Sequence, residues 1–295
     1  MTHIMESRAT VSDLLPQDWM TPSIAYAISV IGSFLGLSFA ARARHATGFF
    51  RWQWQGLAAL ALGGMAIWAM HFVAMLGFSV PGTALRYDGL LTAVSGVIPV
   101  VVTVFALHLI LREATAMRLL ASGLLVGVGI IAMHHVGVVA MNVHGTMHHD
   151  PFLTALSAVI AVVASTVALW CARQVQGPPA TLLASLVMAA AVTATHYTSM
   201  AGTHVVPPNF TPVGPPDGAK AWDLLLPVIT GLFVLLLICS LFLLLGDDDE
   251  NERRDYSRSS HRAAEHTIGS EETYTPRHGA PAEPRPGDDV WTRRR

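Results

Sequence analysis

The chain has 295 residues, 52% of them hydrophobic and only 13% charged, with a formal net charge of −2. A mean hydropathy of +0.48 excludes an ordinary soluble domain, and the near-neutral charge removes any electrostatic case for nucleic-acid binding. The two cysteines, Cys171 and Cys239, lack the close spacing of a redox or metal-binding pair and read as small packing residues.

Residues 1–22 are polar and without a basic stretch, and Arg42 and Arg44 follow the first apolar run, the reverse of the charge order in a cleavable signal. They read as an extracytoplasmic segment leading into a retained helix. Crossing a hydrocarbon core takes roughly 20 apolar residues. Seven segments qualify, near 23–41, 55–78, 89–111, 119–143, 152–172, 180–202 and 222–246. The expected fold is therefore an all-α, polytopic membrane helix bundle over 23–246, with every charge between Ile24 and Leu245 at or near a span end. Gly32 with Gly36 and Gly123 with Gly127 form GxxxG patterns that predict close helix contacts, and Pro99 predicts a bend in the third helix. From Asp247 to Arg295 a DDDE run gives way to Arg, Ser, Pro and Gly with few aliphatic residues, the composition of a disordered cytoplasmic tail.

Orientation follows from the basic residues in the connections. Arg42, Arg44, Arg51, Arg112, Arg118 and Arg173 fall in one alternate set of loops, and Arg8, Arg86 and Lys220 in the other. This predicts a multi-pass protein of the cytoplasmic (inner) membrane with the N-terminus outside and the C-terminus in the cytoplasm. Trp52 and Trp54 at one interface and Trp222 at the other fit aromatic belts.

Three histidines recur inside the even-numbered helices in similar frames: His71 in WAMHFVAM, His134 in IAMHHVGVVAM and His196 in ATHYTSMAG. The steps are 63 residues (134 minus 71) and 62 (196 minus 134), so the sequence divides into three two-helix repeats plus a seventh helix. A pair of helices returns the chain to its starting side, so all three histidines lie at one depth in the outer leaflet. Imidazoles are costly to keep in lipid, and three in register point to one shared site. Positions four apart share a helical face, which sets Met75 beside His71 and Met200 beside His196; in the middle copy Val138 takes that place and Met141 supplies the sulfur. Nitrogen with thioether sulfur is a ligand set for copper, above all Cu(I). Met70, Met133 and His135 stand one helical step away as secondary candidates. His144, Met147, His148 and His149 in the loop after helix four, with His204 beyond helix six, form an outward patch suited to metal delivery or to loose surface chelation. His108 lacks such a frame and reads as a packing residue.

These frames resemble the MHYT domain, a bacterial integral-membrane sensor module named for that tetrapeptide, and the resemblance covers roughly residues 20–246. MHFVAM follows the pattern closely, MHHVGVVAM keeps its Met-His, Gly and Ala-Met positions, and THYTSM keeps His-Tyr-Thr with Thr195 in place of the first Met. The resemblance implies a copper site near the outer membrane face that senses a diatomic gas such as O2, CO or NO. Relatives of this kind often carry cyclase, phosphodiesterase or kinase domains, whereas here the tail follows Leu245, so the signal is expected to pass to a separate cytoplasmic signalling protein.

The sequence therefore predicts a non-enzymatic copper-binding sensor of gas or redox state, with the lipid bilayer as its surroundings. No positioned nucleophile, acidic pair or phosphate-cradling loop argues for catalysis. Two rival readings remain at this stage: a b-type haem protein moving electrons through two of the histidines, and a transporter of metal or small solutes, which the lack of charge inside any span weakens.

Overall fold

Seven helices long and apolar enough to cross a membrane run through the described residues: α1 (Met20–His45), α2 (Gly48–Leu76), α3 (Gly89–Arg112), α4 (Ala116–Val139), α5 (Pro151–Gln174), α6 (Pro178–Ala201) and α7 (Ala221–Phe242). The computed structural model describes residues 19–80, 84–112, 115–206 and 214–242. All belong to one unit, Met1–Leu243. The predicted tail at 247–295, the last residues of the predicted seventh span and residues 1–18 of the predicted N-terminal segment lie outside the described residues.

Successive helices pack side by side from α1 to α6, and α6 returns against α1, so the three helix pairs close into a ring of six. The repeat-bearing helices α2, α4 and α6 alternate around this ring with α1, α3 and α5. Three equivalent positions on them consequently face one axis. α7 lies outside, on α2: Leu232, Leu235, Leu236 and the buried Cys239 pack against the core, and Trp54 meets Phe242 edge to face. This outer cover makes α2 the most buried helix of the bundle.

Small residues set the spacing. A Cβ on Gly32 would strike Ala66 and Met65, and one on Gly36 would strike Leu62, so the first GxxxG seats α1 on α2; Gly123 and Gly127 seat α4 on α5 against Thr166 and Val162 in the same way. Pro99 lies inside a continuous α3, with its carbonyl against Gly63 of α2. The helix ends are tied by side chains. Asp88 and Asp150 accept from the backbone of Leu91 and Leu153, each at 2.9 Å, and cap α3 and α5. Thr92 and Thr154 then donate back to the Asp88 and Asp150 carbonyls, at 2.7 and 2.8 Å. At the other end Arg44 donates to the carbonyls of Arg173 and Val175, and Arg51 to that of Leu111, so these cations satisfy the last carbonyls of α5 and α3 as well as marking one side of the bundle.

Several predicted bounds shift. α2 starts at Gly48 rather than near residue 55, because Trp52 and Trp54 continue the helix through the interface. It is not uniformly α-helical, since Leu60–Ala69 forms a π-helical stretch between Gly48–Ala59 and Met70–Leu76. α4 ends at Val139 rather than 143, where the Ala140 carbonyl accepts from Asp88 and the chain turns into a strand. Two short antiparallel pairs cover this end of the ring: β1 (Arg86–Tyr87) on β2 (Met141–Asn142), and β3 (Thr146–His149) on β4 (Thr203–Val206). A further bridge joins Tyr87 to Ala219.

Replacing Asp150 by Ala removes a side-chain cap and is expected to cost about 1 kcal/mol of stability. Thermal unfolding in detergent, followed by circular dichroism, checks this, with Asp88→Ala expected to match it; melting unchanged in both variants would contradict the capping account.

Candidate metal centre

The ring brings His71 of α2, His134 of α4 and His196 of α6 together at its axis. Their accessibilities are 3%, 5% and 4%. Nδ1 of His71 lies 3.0 Å from Nδ1 of His196 and 3.4 Å from Nδ1 of His134. Ring centroids are 5.0, 5.0 and 5.4 Å apart, with planes inclined at 70 to 80°, so the imidazoles meet edge to face around a common point.

Three nitrogens bound at about 2.0 Å to one ion stand about 3.3 Å apart in a tetrahedral site and about 3.5 Å apart in a trigonal one. The observed separations match that spacing, and one ligand atom from each histidine lies within 4.8 Å of the others, so the triad is placed to hold a metal ion. Chemistry argues the same way. A hydrogen bond between two imidazoles satisfies one donor and one acceptor, which cannot serve three converging nitrogens, and a shared cation can. The Nε2 atoms of His71 and His134 are also buried without a hydrogen-bond partner, so each ring already carries an unsatisfied polar atom in an apolar surrounding.

The predicted soft donors gather next to the triad. Met75, Met141 and Met200 are all buried and pack into one cluster with Phe78, Tyr87 and Val138. Met141 reaches it from β2, beyond the end of α4, and not from a second helical turn above His134. Tyr87 donates from its hydroxyl to the Met75 carbonyl at 3.4 Å; burial pushes its pKa up to about 12, so it acts as a neutral donor. Met70 packs with Ala25, Ala74 and Tyr197, and Met133 belongs to the main apolar core, so neither joins the sulfur cluster. His135 sits 5.8 Å from the His134 ring and bonds through Nδ1 to the Ile131 carbonyl. His148 and His204 face each other across β3 and β4, both exposed, and His144 bonds to the Gly214 carbonyl. None of these four enters the triad. His108 stacks on Trp52 at 4.5 Å, away from it.

An apolar cavity of about 40 Å³ begins one helical turn along from the histidines, lined among others by Ala66, Ile67, Ile130, Val192 and Thr195. The hydroxyls of Ser33, Thr103 and Ser165, which also line it, have no partner. Thr195 turns its hydroxyl back to the Ala191 carbonyl at 2.9 Å, so the residue in place of the third Met adds no ligand.

Sequence reasoning overlooked three features. The π-helical stretch redirects the Met70–Leu76 turn, and its Ala66 carbonyl is taken up by the Ser29 hydroxyl at 2.9 Å; the Gly63-Gly64 pair is its trace in the sequence. Gly137 faces His71, and a Cβ there would collide with Nε2. The recurring Asp, Leu, Thr and Ser of the capping networks, Asp88 to Ser95 and Asp150 to Ser157, repeat at a step of 62 (150 minus 88) and were visible as a second marker of the internal repeat.

Gly137→Ala is expected to displace the His71 ring and lower metal affinity by about 10- to 100-fold, the range of a lost supporting contact, while the helices persist. Competition with a chelator of known affinity, beside a circular dichroism spectrum, tests this. Unchanged affinity would show that the ring is not seated against α4.

Comparison with known proteins adds the family. The model of a bacterial signalling protein N-terminal repeat, MHYT, matches residues 64–123 and 127–185. Each stretch opens seven residues before a motif histidine (71 minus 64, 134 minus 127) and runs on into the next motif helix, so it is the same helix pair in a shifted frame. MucR of Pseudomonas aeruginosa, a bifunctional diguanylate cyclase/cyclic di-GMP phosphodiesterase, is 34% identical over 71% of this chain and 31% of its own length. NbdA of the same organism, a cyclic di-GMP phosphodiesterase, is 32% identical over 79% of this chain and 30% of its own. An uncharacterized signaling protein of Caulobacter vibrioides is 27% identical over 62% of this chain and 22% of its own. The chain thus spans less than a third of the length of these relatives. No solved structure matches. With two matched repeats and seven membrane-length helices, the chain belongs to the MHYT family of membrane sensory domains in bacterial signalling proteins.

Proposed function

We propose that this protein is a copper-binding membrane sensor in which His71, His134 and His196 hold a Cu(I) ion and Met75, Met141 and Met200 furnish a soft second layer. The observation that carries the reading is the convergence of three buried imidazoles with no carboxylate in the cluster. Transferring an ion into a low-dielectric interior costs energy that rises with the square of its charge, so a site built of neutral donors favours a monovalent ion over a divalent one. Cu(I) combines single charge, preference for nitrogen and thioether donors, and stability at low coordination number. Bound there, it would supply an electron-rich centre able to take a diatomic ligand or to change oxidation state.

The largely apolar cavity beside the triad supports the gas reading, since O2, CO and NO partition into apolar space. Bis-histidine haem fits poorly: axial nitrogens must stand on opposite faces of a macrocycle, and the His71 and His196 nitrogens at 3.0 Å leave no room for a plane between them. In this reading the sensor acts by changing its helices, and a separate cytoplasmic signalling protein reads that change. The relatives' names suggest cyclic di-GMP turnover as the class of output. The basic connections support an orientation with the triad end at the outer face of the cytoplasmic membrane, the N-terminus outside and the C-terminus inside.

Protein purified from copper-supplied cells is expected to carry close to one copper per chain by elemental analysis, with no haem absorption. His134→Ala should lose most of it, and His108→Ala should keep it. Equal loss in both variants, or a parent without copper, would overturn the reading. Topology is tested with an impermeant thiol reagent on intact cells: a cysteine replacing the exposed Thr146 should react, and one replacing the exposed Gln176 should not. The reverse pattern would place the triad on the cytoplasmic side.

A further inference from the structure

The triad is buried in the bundle, so an ion needs a route to it. Beside those strands opens a pocket of about 530 Å³ whose lining includes Met141, His144, Met147, His149 and Asp217. Met141 belongs to the buried sulfur cluster and Met147 packs against that cluster, so the pocket reaches from solvent to the soft layer over the triad. His149 stacks on His135 with ring centroids 5.7 Å apart and planes inclined at 29°, and His135 lies 5.8 Å from His134. A continuous file of imidazoles thus joins the pocket to the triad.

We propose that this pocket is a second, outer metal site that captures Cu(I) from solution, and that His149 and His135 pass the ion inward to His134. The proposal rests on the copper reading of the triad and deepens it. Hydrogen bonding sets the tautomers for the task. His135 donates from Nδ1 to the Ile131 carbonyl at 2.9 Å, and His144 donates from Nε2 to the Gly214 carbonyl at 3.1 Å. Each therefore keeps its other nitrogen as a lone-pair donor, the arrangement in which metal-ligating histidines are usually held. Nε2 of His149 is buried and unpartnered. The facing pair His148 and His204 is exposed and stands outside this pocket, which makes it the natural control.

The experiment offers metal-free purified protein Cu(I) as its bicinchoninate complex and follows the loss of colour with time. The parent is expected to load, and His149→Ala to reach the same chelator-resistant, triad-bound copper per chain about tenfold more slowly, the lower end of what loss of a metal-supporting side chain costs. Met147→Leu, a volume-conserving change, should also slow loading, and His148→Ala and His204→Ala should load at the parental rate. A second arm adds Cu(I) to purified His134→Ala, which should take up one weakly held, chelator-labile copper of the kind lost during purification, and the added His149→Ala should abolish that uptake. Equal rates in the parent and His149→Ala, or equal slowing in all hairpin variants, would overturn the route while leaving the triad reading intact. A parent that takes up no copper would overturn both.

Discussion

Three imidazoles held against one another in an apolar bundle are the constraint on which the rest of this structure depends. Each ring has a nitrogen that must be satisfied, lipid and aliphatic side chains offer nothing, and the three together offer only more imidazole. An isolated histidine in a membrane helix is usually paired with a neighbouring carbonyl or hydroxyl. Here Nδ1 atoms turn toward each other at 3.0 and 3.4 Å and Nε2 atoms of two rings go without a partner. A cation at the centre would satisfy the facing Nδ1 atoms, while each unpartnered Nε2 would still cost roughly 1–3 kcal/mol.

Much of the remaining architecture serves to place these rings. Three helix pairs close a ring in which alternate helices present equivalent faces to the axis, so one repeated unit yields three ligands at one depth. Glycines on α1 and α4 bring the helices close, Gly137 leaves space for the His71 ring, and the π-helical stretch of α2 sets the turn that carries it. Asp88 and Asp150 fix where α3 and α5 begin, directly beneath the strands that roof the site. Above the triad lies a sulfur layer, and along its other side an apolar cavity, so the centre stands between a soft face and a largely aliphatic one.

Sequence revealed what depends on composition and period. Seven apolar runs, the absence of charge within them, and histidines at a step of 62 or 63 residues were enough to name the fold, the triad and the methionines beside it. It was silent where three-dimensional contact decides. Met141 seemed to be two turns up a helix because nothing local announces that α4 stops at Val139; the stop comes from the Asp88 bond to Ala140, a pairing across repeats. Likewise Met70 and Met133 share the motif with the histidines, yet the helical step that separates them turns both into the core. The His135 to His149 contact joins a helix to a strand 14 residues later (149 minus 135), a relation no periodic pattern encodes.

X-ray absorption spectroscopy of the copper-loaded protein tests the central claim most directly, because it reads the ligand atoms and not merely the presence of metal. With His71, His134 and His196 around one Cu(I), the edge should be that of the reduced ion, and the fine structure should require three imidazole nitrogens at about 2.0 Å with their outer-ring scattering. The little copper that remains in His134→Ala should not show that three-imidazole shell. A first shell of oxygen, or an imidazole signal unchanged in the variant, would contradict a metal held by the triad.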